Sequence, residues 1–292
     1  MDNWTRGQLK EKAWQALSGS FKYYFFATFL ATLIVIAPTF LPLIFGPFVG
    51  TSNLIYFLFI LATIIFIDLP LSVGLASCYL RAPQGDKKLT SLFSAFSPKR
   101  YPAIVGATLH RGIVLFGWIL LLIVPRDYLI HARPDLYMAI PPIVRFALFV
   151  LLAAPYVVKH YQYRMVPYIL SSCPEVGAEE AMFISTQMTK KQRRRMFGLD
   201  LSFIGLGLLI SFVLFFMGYF VLGAIFVALR HSPSPFFIIV LSVILPALFM
   251  PLVIYIGATW AQLFIHMRDN YFAMQQGAPT PVAPQPDPST QN

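Results

Sequence analysis

The sequence predicts an all-α membrane protein with six transmembrane helices, and three observations carry that prediction. Apolar runs near twenty residues recur along the 292-residue chain, and an α-helix crosses the hydrocarbon core of a bilayer in about 20 residues. Only 12% of the residues are charged against 58% hydrophobic, with a mean hydropathy of +0.69. A soluble domain carries roughly 25% charge, and a chain with half of that cannot cover a water-exposed surface. Finally, the lysines and arginines gather beside particular apolar runs, which is how membrane topology is set.

The runs fall at about 22–45, 53–80, 102–124, 142–168, 197–229 and 236–266. Before the first lie Arg6, Lys10, Lys12 and Lys22. Between the second and third lie Arg81, Lys87, Lys88, Lys99 and Arg100. Beside the fourth and fifth lie Lys159, Arg164, Lys190, Lys191, Arg193, Arg194 and Arg195. The remaining connections hold only Arg126, Arg133 and Arg230. This asymmetry predicts cytoplasmic N- and C-termini. It also accounts for the net charge of +10 without a nucleic-acid partner, since no basic, aromatic-interleaved soluble domain is present. Cys78 and Cys173 make no disulfide framework and are expected as free thiols. The N-terminus lacks a signal peptide's short apolar core and cleavage site, so the first span is expected in the mature protein.

Residues 1–21 are expected as a cytoplasmic amphipathic helix, 22–266 as the six-span domain and 267–292 as a disordered, proline-rich cytoplasmic tail. In "QLKEKAWQAL", Leu9, Ala13, Ala16 and Leu17 share one helical face, opposite Glu11, Lys12 and Gln15. In "LTSLFSAFSPKR", α-helical spacing puts Leu89, Leu92, Phe93 and Phe96 on one face and Thr90, Ser91 and Ser94 on the other. "GAEEAMFISTQMTKKQRRR" has a weaker face of Ala178, Ala181, Ile184 and Met188. Such segments suit the membrane interface. Each even-numbered span carries an internal proline, Pro70, Pro155 or Pro251, which removes a backbone bond and tends to kink the helix. The freed carbonyl then needs a partner inside the bundle. With "PLSVG" loosely echoed by "PLVIYIG", the chain reads as three tandem units, each an interfacial helix followed by a transmembrane hairpin.

The opening "TRGQLKEKAWQALSG", the block "YRMVPYILSSCPEVGAEEAMFISTQM" and the later "FGLDLSFIGLGLL" resemble domain-of-unknown-function family 975, over most of residues 4–268. The closest points are the Tyr168–Pro174 region, Ala181 and Ser185 of "EEAMFIS", and Leu201-Ser202-Phe203. The chain departs from that pattern at Pro155-Tyr156, where a proline-glycine pair is expected, and at Leu206, where a tryptophan is expected. It also lacks a glycine around Thr189–Gln192. The resemblance implies a bacterial integral membrane protein of the cytoplasmic membrane, with no established activity.

Charges inside the spans are the candidate functional groups, because a charge at the bilayer centre costs roughly 2.5–3.5 kcal/mol on insertion scales and usually faces a partner or water. Asp68 precedes Arg81 by thirteen residues, roughly 20 Å of helix, and Arg111 lies eleven residues past Arg100, roughly 16 Å. The two charges share a depth on antiparallel neighbours, so an Asp68–Arg111 ion pair is expected, with His110 beside it. Its role is either structural or that of a relay or gate with His110 titrating. Otherwise Arg111 snorkels or lines water without Asp68.

"KHYQYRMVPY" stacks Lys159, His160, Tyr161, Tyr163, Arg164 and Tyr168 at the inner end of the fourth span. It reads as an aromatic belt with snorkelling cations, or as an inner-face pocket for a ligand or lipid headgroup. Lys190, Lys191, Arg193, Arg194 and Arg195 are a topology signal or a contact for anionic lipid or a partner. Asp200 is expected to pair with one of those arginines. Gly198, Ser202, Gly205 and Gly207 give the fifth span a small-residue packing face. No HExxH, GxSxG or Walker motif occurs, and His110, His131, His160, His231 and His266 show no metal-ligand spacing. The sequence therefore predicts a non-enzymatic protein without metal or cofactor: a scaffold or interaction protein whose basic cytoplasmic face meets anionic lipid headgroups or another membrane protein. The alternative is a transporter or small channel using Asp68, His110 and Arg111.

Overall fold

The computed structural model describes residues 4–49, 53–173, 175–229 and 235–276, and every regular element among them is helical. Six stretches are long and apolar enough to cross a membrane: Phe21–Pro38, Ile55–Gln84, Tyr101–Ala132, Pro142–Ser172, Arg193–Phe212 and Phe249–Phe272. They fall on the six expected runs.

Helix α1 (Arg6–Ser18) starts with a reciprocal cap. Thr5 Oγ1 accepts the Gln8 N–H at 3.3 Å and Gln8 Oε1 accepts the Thr5 N–H at 3.0 Å, satisfying two otherwise orphan donors. Leu9, Ala13 and Leu17 are buried while Glu11, Lys12 and Gln15 face outward, as the spacing predicts. That apolar face packs on protein, against α2 (Phe21–Val49) and chiefly against the last helix, α11 (Pro235–Gln276).

The second span is built from α3 (Asn53–Thr63), a π-helical turn at Ile64–Asp68 and α4 (Leu69–Arg81). Pro70 has no N–H to offer the carbonyl four residues earlier. That carbonyl, on Phe66, accepts the Tyr101 hydroxyl at 2.8 Å instead, so the neighbouring span supplies the missing donor.

Leu89–Phe96 is a 3₁₀ helix, not an α-helix. Its buried residues are Ser91, Leu92 and Ala95, with Phe96 partly covered, while Leu89 and Phe93 are exposed. Of the face expected from α-helical spacing, Leu92 and Phe96 pack on the protein and Leu89 and Phe93 do not, while Ser91, expected opposite, is buried. The segment packs on α4 so closely that a Cβ at Gly74 would run into the Leu92 carbonyl oxygen. The turn before it is closed by Gly85, at φ 88°, a left-handed conformation that glycine adopts without strain.

After α5 (Tyr101–Ala132) and the short α6 (Pro134–Ala139), the fourth span comprises α7 (Pro142–Gln162) and α8 (Val166–Ser172). Helix α7 runs unbroken through Pro155. The interruption comes at 163–165, just before Pro167 in the first turn of α8, where a missing N–H and a fixed φ start a new helix readily. Arg100 Nη2 donates to the Leu170 carbonyl at 2.8 Å, satisfying an orphan acceptor of α8.

Helix α9 (Ala178–Thr189) buries Ala181, Ser185 and Thr189, with Ala178, Ile184 and Met188 only partly covered. The expected apolar stripe flanks a small, hydroxylic one. Ser185 Oγ donates to the Gln162 carbonyl at 2.7 Å, closing the end of α7. Helices α10 (Arg193–Leu229) and α11 complete the chain. Helix α11 extends to Gln276 with Met267 buried, so the tail does not begin at 267; residues 277–292 of the expected tail lie outside the described residues, as does Arg230.

The three amphipathic segments share one packing relation. Residues 89–96 lie on α4, α9 on α8 and α5, and α1 on α11, so each contacts a helix of the preceding hairpin and the first contacts the last. The core lies at this end, where Trp260, Phe264, Met165, Met196, Leu199 and Leu263 are fully buried. Away from it the spans expose Phe57, Phe116, Phe146 and Leu208, the side chains that lipid solvates.

Candidate functional sites within the bundle

The structure brings Asp68 and Arg111 to different sites. Asp68 ends the π-helical turn and lines a 250 Å³ groove with Thr28, Thr32, Ser72 and Val253. Among the described residues the half-buried carboxylate has no hydrogen-bonding or ion-pair partner. Arg111 faces the other way, within electrostatic range of Arg164 and Tyr156, and its Nε is buried without a hydrogen-bond partner. The expected ion pair is therefore absent. Equal depth on antiparallel helices does not fix azimuth: Asp68 points toward α2 and α11, Arg111 toward α7. His110 is half-buried and joins neither group.

A polar cluster that the sequence only partly signals lies where α7, α10 and α11 meet. Arg164 Nη1 stands 3.2 Å from Asp200 Oδ2 and 3.1 Å from His160 Nε2. The Tyr161 hydroxyl donates to the same Asp200 oxygen at 2.7 Å. The Arg164 guanidinium carbon sits 3.8 Å from the Trp260 ring centroid, a cation–π contact that strengthens as water is excluded. Of the residues stacked at the inner end of the fourth span, His160, Tyr161 and Arg164 join this cluster. Lys159 and Tyr163 pair with each other, Nζ 5.8 Å from the ring centroid.

Asp200 thus pairs with Arg164 and not with Arg193, Arg194 or Arg195, because α10 turns its carboxylate toward α7. In the basic run Lys190, Lys191 and Arg194 are exposed, whereas Arg193 and Arg195 are half-buried, Arg195 lying 5.9 Å from the Trp4 ring centroid. The small-residue face of α10 receives cations from α1. A Cβ at Gly198 would meet the Arg6 guanidinium, and Lys10 Nζ sits 4.4 Å from the Phe203 ring centroid. Burial there, with the neighbouring Arg6 charge, holds the Lys10 ammonium below the usual lysine range.

Trp260 and Tyr101 were not among the candidates. Nothing in their sequence neighbourhood separates them from aromatics of the core or of the membrane interface. Two further cavities are mostly apolar: 440 Å³ between α5 and α7, with Arg126, Tyr137 and Arg145, and 410 Å³ between α8, α9 and α11, with Glu180 and Arg268. Cys78 and Cys173 are both free thiols.

Six apolar spans, helical structure throughout the described residues and charges buried between helices define an all-α, multi-pass membrane protein. The chain belongs to the family described as protein of unknown function (DUF975), which matches residues 1–270 and so bears out the resemblance. No curated protein and no solved structure matches it significantly.

Proposed function

We propose that the protein is a non-enzymatic scaffold of a bacterial cytoplasmic membrane, with both termini in the cytoplasm and a basic face that engages anionic lipid headgroups or another membrane protein. One observation carries this reading. All three amphipathic segments turn their buried sides onto the bundle and leave Lys12, Lys87, Lys88, Lys99, Lys190, Lys191 and Arg194 exposed at one end. Juxtamembrane cations of this kind attract anionic lipid at about 1 kcal/mol each. The shared packing relation of these segments supports three tandem units.

The transporter reading relies on Asp68, His110 and Arg111 lining one path, and the separation of Asp68 from Arg111 weighs against it. The test is native mass spectrometry of full-length protein from nanodiscs holding equal phosphatidylglycerol and phosphatidylcholine. The wild type is expected to retain phosphatidylglycerol preferentially, and the Lys190→Gln, Lys191→Gln, Arg194→Gln variant to lose that preference. Equal retention by both proteins would overturn the basic-face reading.

A further inference from the structure

We infer that the groove around Asp68 is a binding site for a monovalent metal cation of sodium's class. The inference goes beyond the scaffold reading and does not depend on it. It starts from an imbalance: a carboxylate inside a membrane span with no cation among the described residues lining its groove. Such a group is retained in hydrocarbon when something offsets its charge.

The neighbouring hydroxyls identify the sign of what is missing. Thr32 Oγ1 donates its proton to the Thr28 carbonyl at 2.8 Å, and Ser72 Oγ donates its own to the Leu69 carbonyl at 2.6 Å. A hydroxyl has one proton to give, so both present only lone pairs to the groove. Thr28 Oγ1 is engaged with the Tyr79 hydroxyl at 2.9 Å. Among the described residues the polar lining is thus the Asp68 carboxylate with the Thr32 and Ser72 hydroxyl oxygens as acceptors, beside a Thr28 hydroxyl already paired with Tyr79, and no side-chain N–H. An anion would meet lone pairs there, whereas a hard cation takes such an all-oxygen set.

Charge selects the valence. One carboxylate in apolar surroundings neutralises one positive charge, and a divalent ion would leave a net charge in the membrane. The backbone is shaped to match: the π-helical turn ends at Asp68 itself, and such turns inside α-helices recur at functional sites.

The experiment uses full-length protein in nanodiscs at constant ionic strength, with sodium chloride exchanged for choline chloride. Dicyclohexylcarbodiimide modifies protonated intramembrane carboxyls, and the modified Asp68 peptide is quantified by mass. Sodium at ten times its dissociation constant should slow modification about tenfold, the fraction of empty site falling accordingly. The Thr32→Val, Ser72→Ala variant keeps the carboxyl reactive but should lose that protection. A wild-type rate equal in sodium and choline, changed only by pH, would mean that the site takes a proton alone and would overturn the inference. Should Asp68 not react in either salt, thermal unfolding decides. A sodium-over-choline rise in Tm in the wild type that vanishes in Asp68→Asn supports the site, and no such rise refutes it.

Discussion

Asp200 on α10 and Arg164 at the break in the fourth span lie 3.2 Å apart, and this contact ties the fifth transmembrane helix to the fourth. Both side chains are about three-quarters covered. Removing one partner leaves a charge that still has to be solvated, which sets the size of the effect. Asp200→Asn and Arg164→Gln are each expected to cost about 1–3 kcal/mol of stability, and the double variant less than their sum. Thermal unfolding of the solubilised variants reads the coupling directly.

The close approach of α4 to residues 89–96 predicts that Gly74→Ala is disruptive. The added methyl meets the Leu92 carbonyl, a backbone atom that cannot rotate away. The cost is expected at about 1–3 kcal/mol, as for overpacked cores. Gly106→Ala serves as the control. Its Cβ would meet nothing within 4 Å, so that change should be neutral or slightly stabilising through helix propensity.

Asp68 and Arg111 should behave as strangers. With Asp68 toward α2 and Arg111 toward α7, the effects of Asp68→Asn and Arg111→Gln should add within about 0.5 kcal/mol. A coupling well above that in a double-mutant cycle would contradict the geometry.

Tyr101 provides a separate check on the second span. Tyr101→Phe removes the hydroxyl that serves the Phe66 carbonyl and should cost about 0.5–1.5 kcal/mol. In a Pro70→Ala background an N–H is available at position 70, so the same substitution should cost less.

What the sequence revealed follows from what each signal encodes. The six spans were legible because their length is dictated by the bilayer. The buried face of α1 was legible because Leu9, Ala13 and Leu17 keep α-helical spacing. The face of 89–96 was legible only at Leu92 and Phe96, since a 3₁₀ and an α winding of the same residues bury different sets, and "LTSLFSAF" does not announce which it adopts. Depth could be counted for Asp68 and Arg111, but the direction each faces depends on the π-helical turn and on neighbouring helices, and no count of residues contains it. Proline spacing likewise pointed to Pro155, whereas the break fell beside Pro167, where Arg164 could reach Asp200. The polar cluster was half visible for that reason: His160, Tyr161 and Arg164 share one short stretch of sequence, while Asp200 and Trp260 had to be brought in by packing.

The seating of α1 on α11 carries a consequence for how the protein is made. Helix α1 and its principal partner stand far apart along the chain, so Leu9, Ala13 and Leu17 gain most of their cover only once α11 is in place. A product truncated before α11 would lack the main partner of that apolar stripe, keeping only its lesser contact with α2.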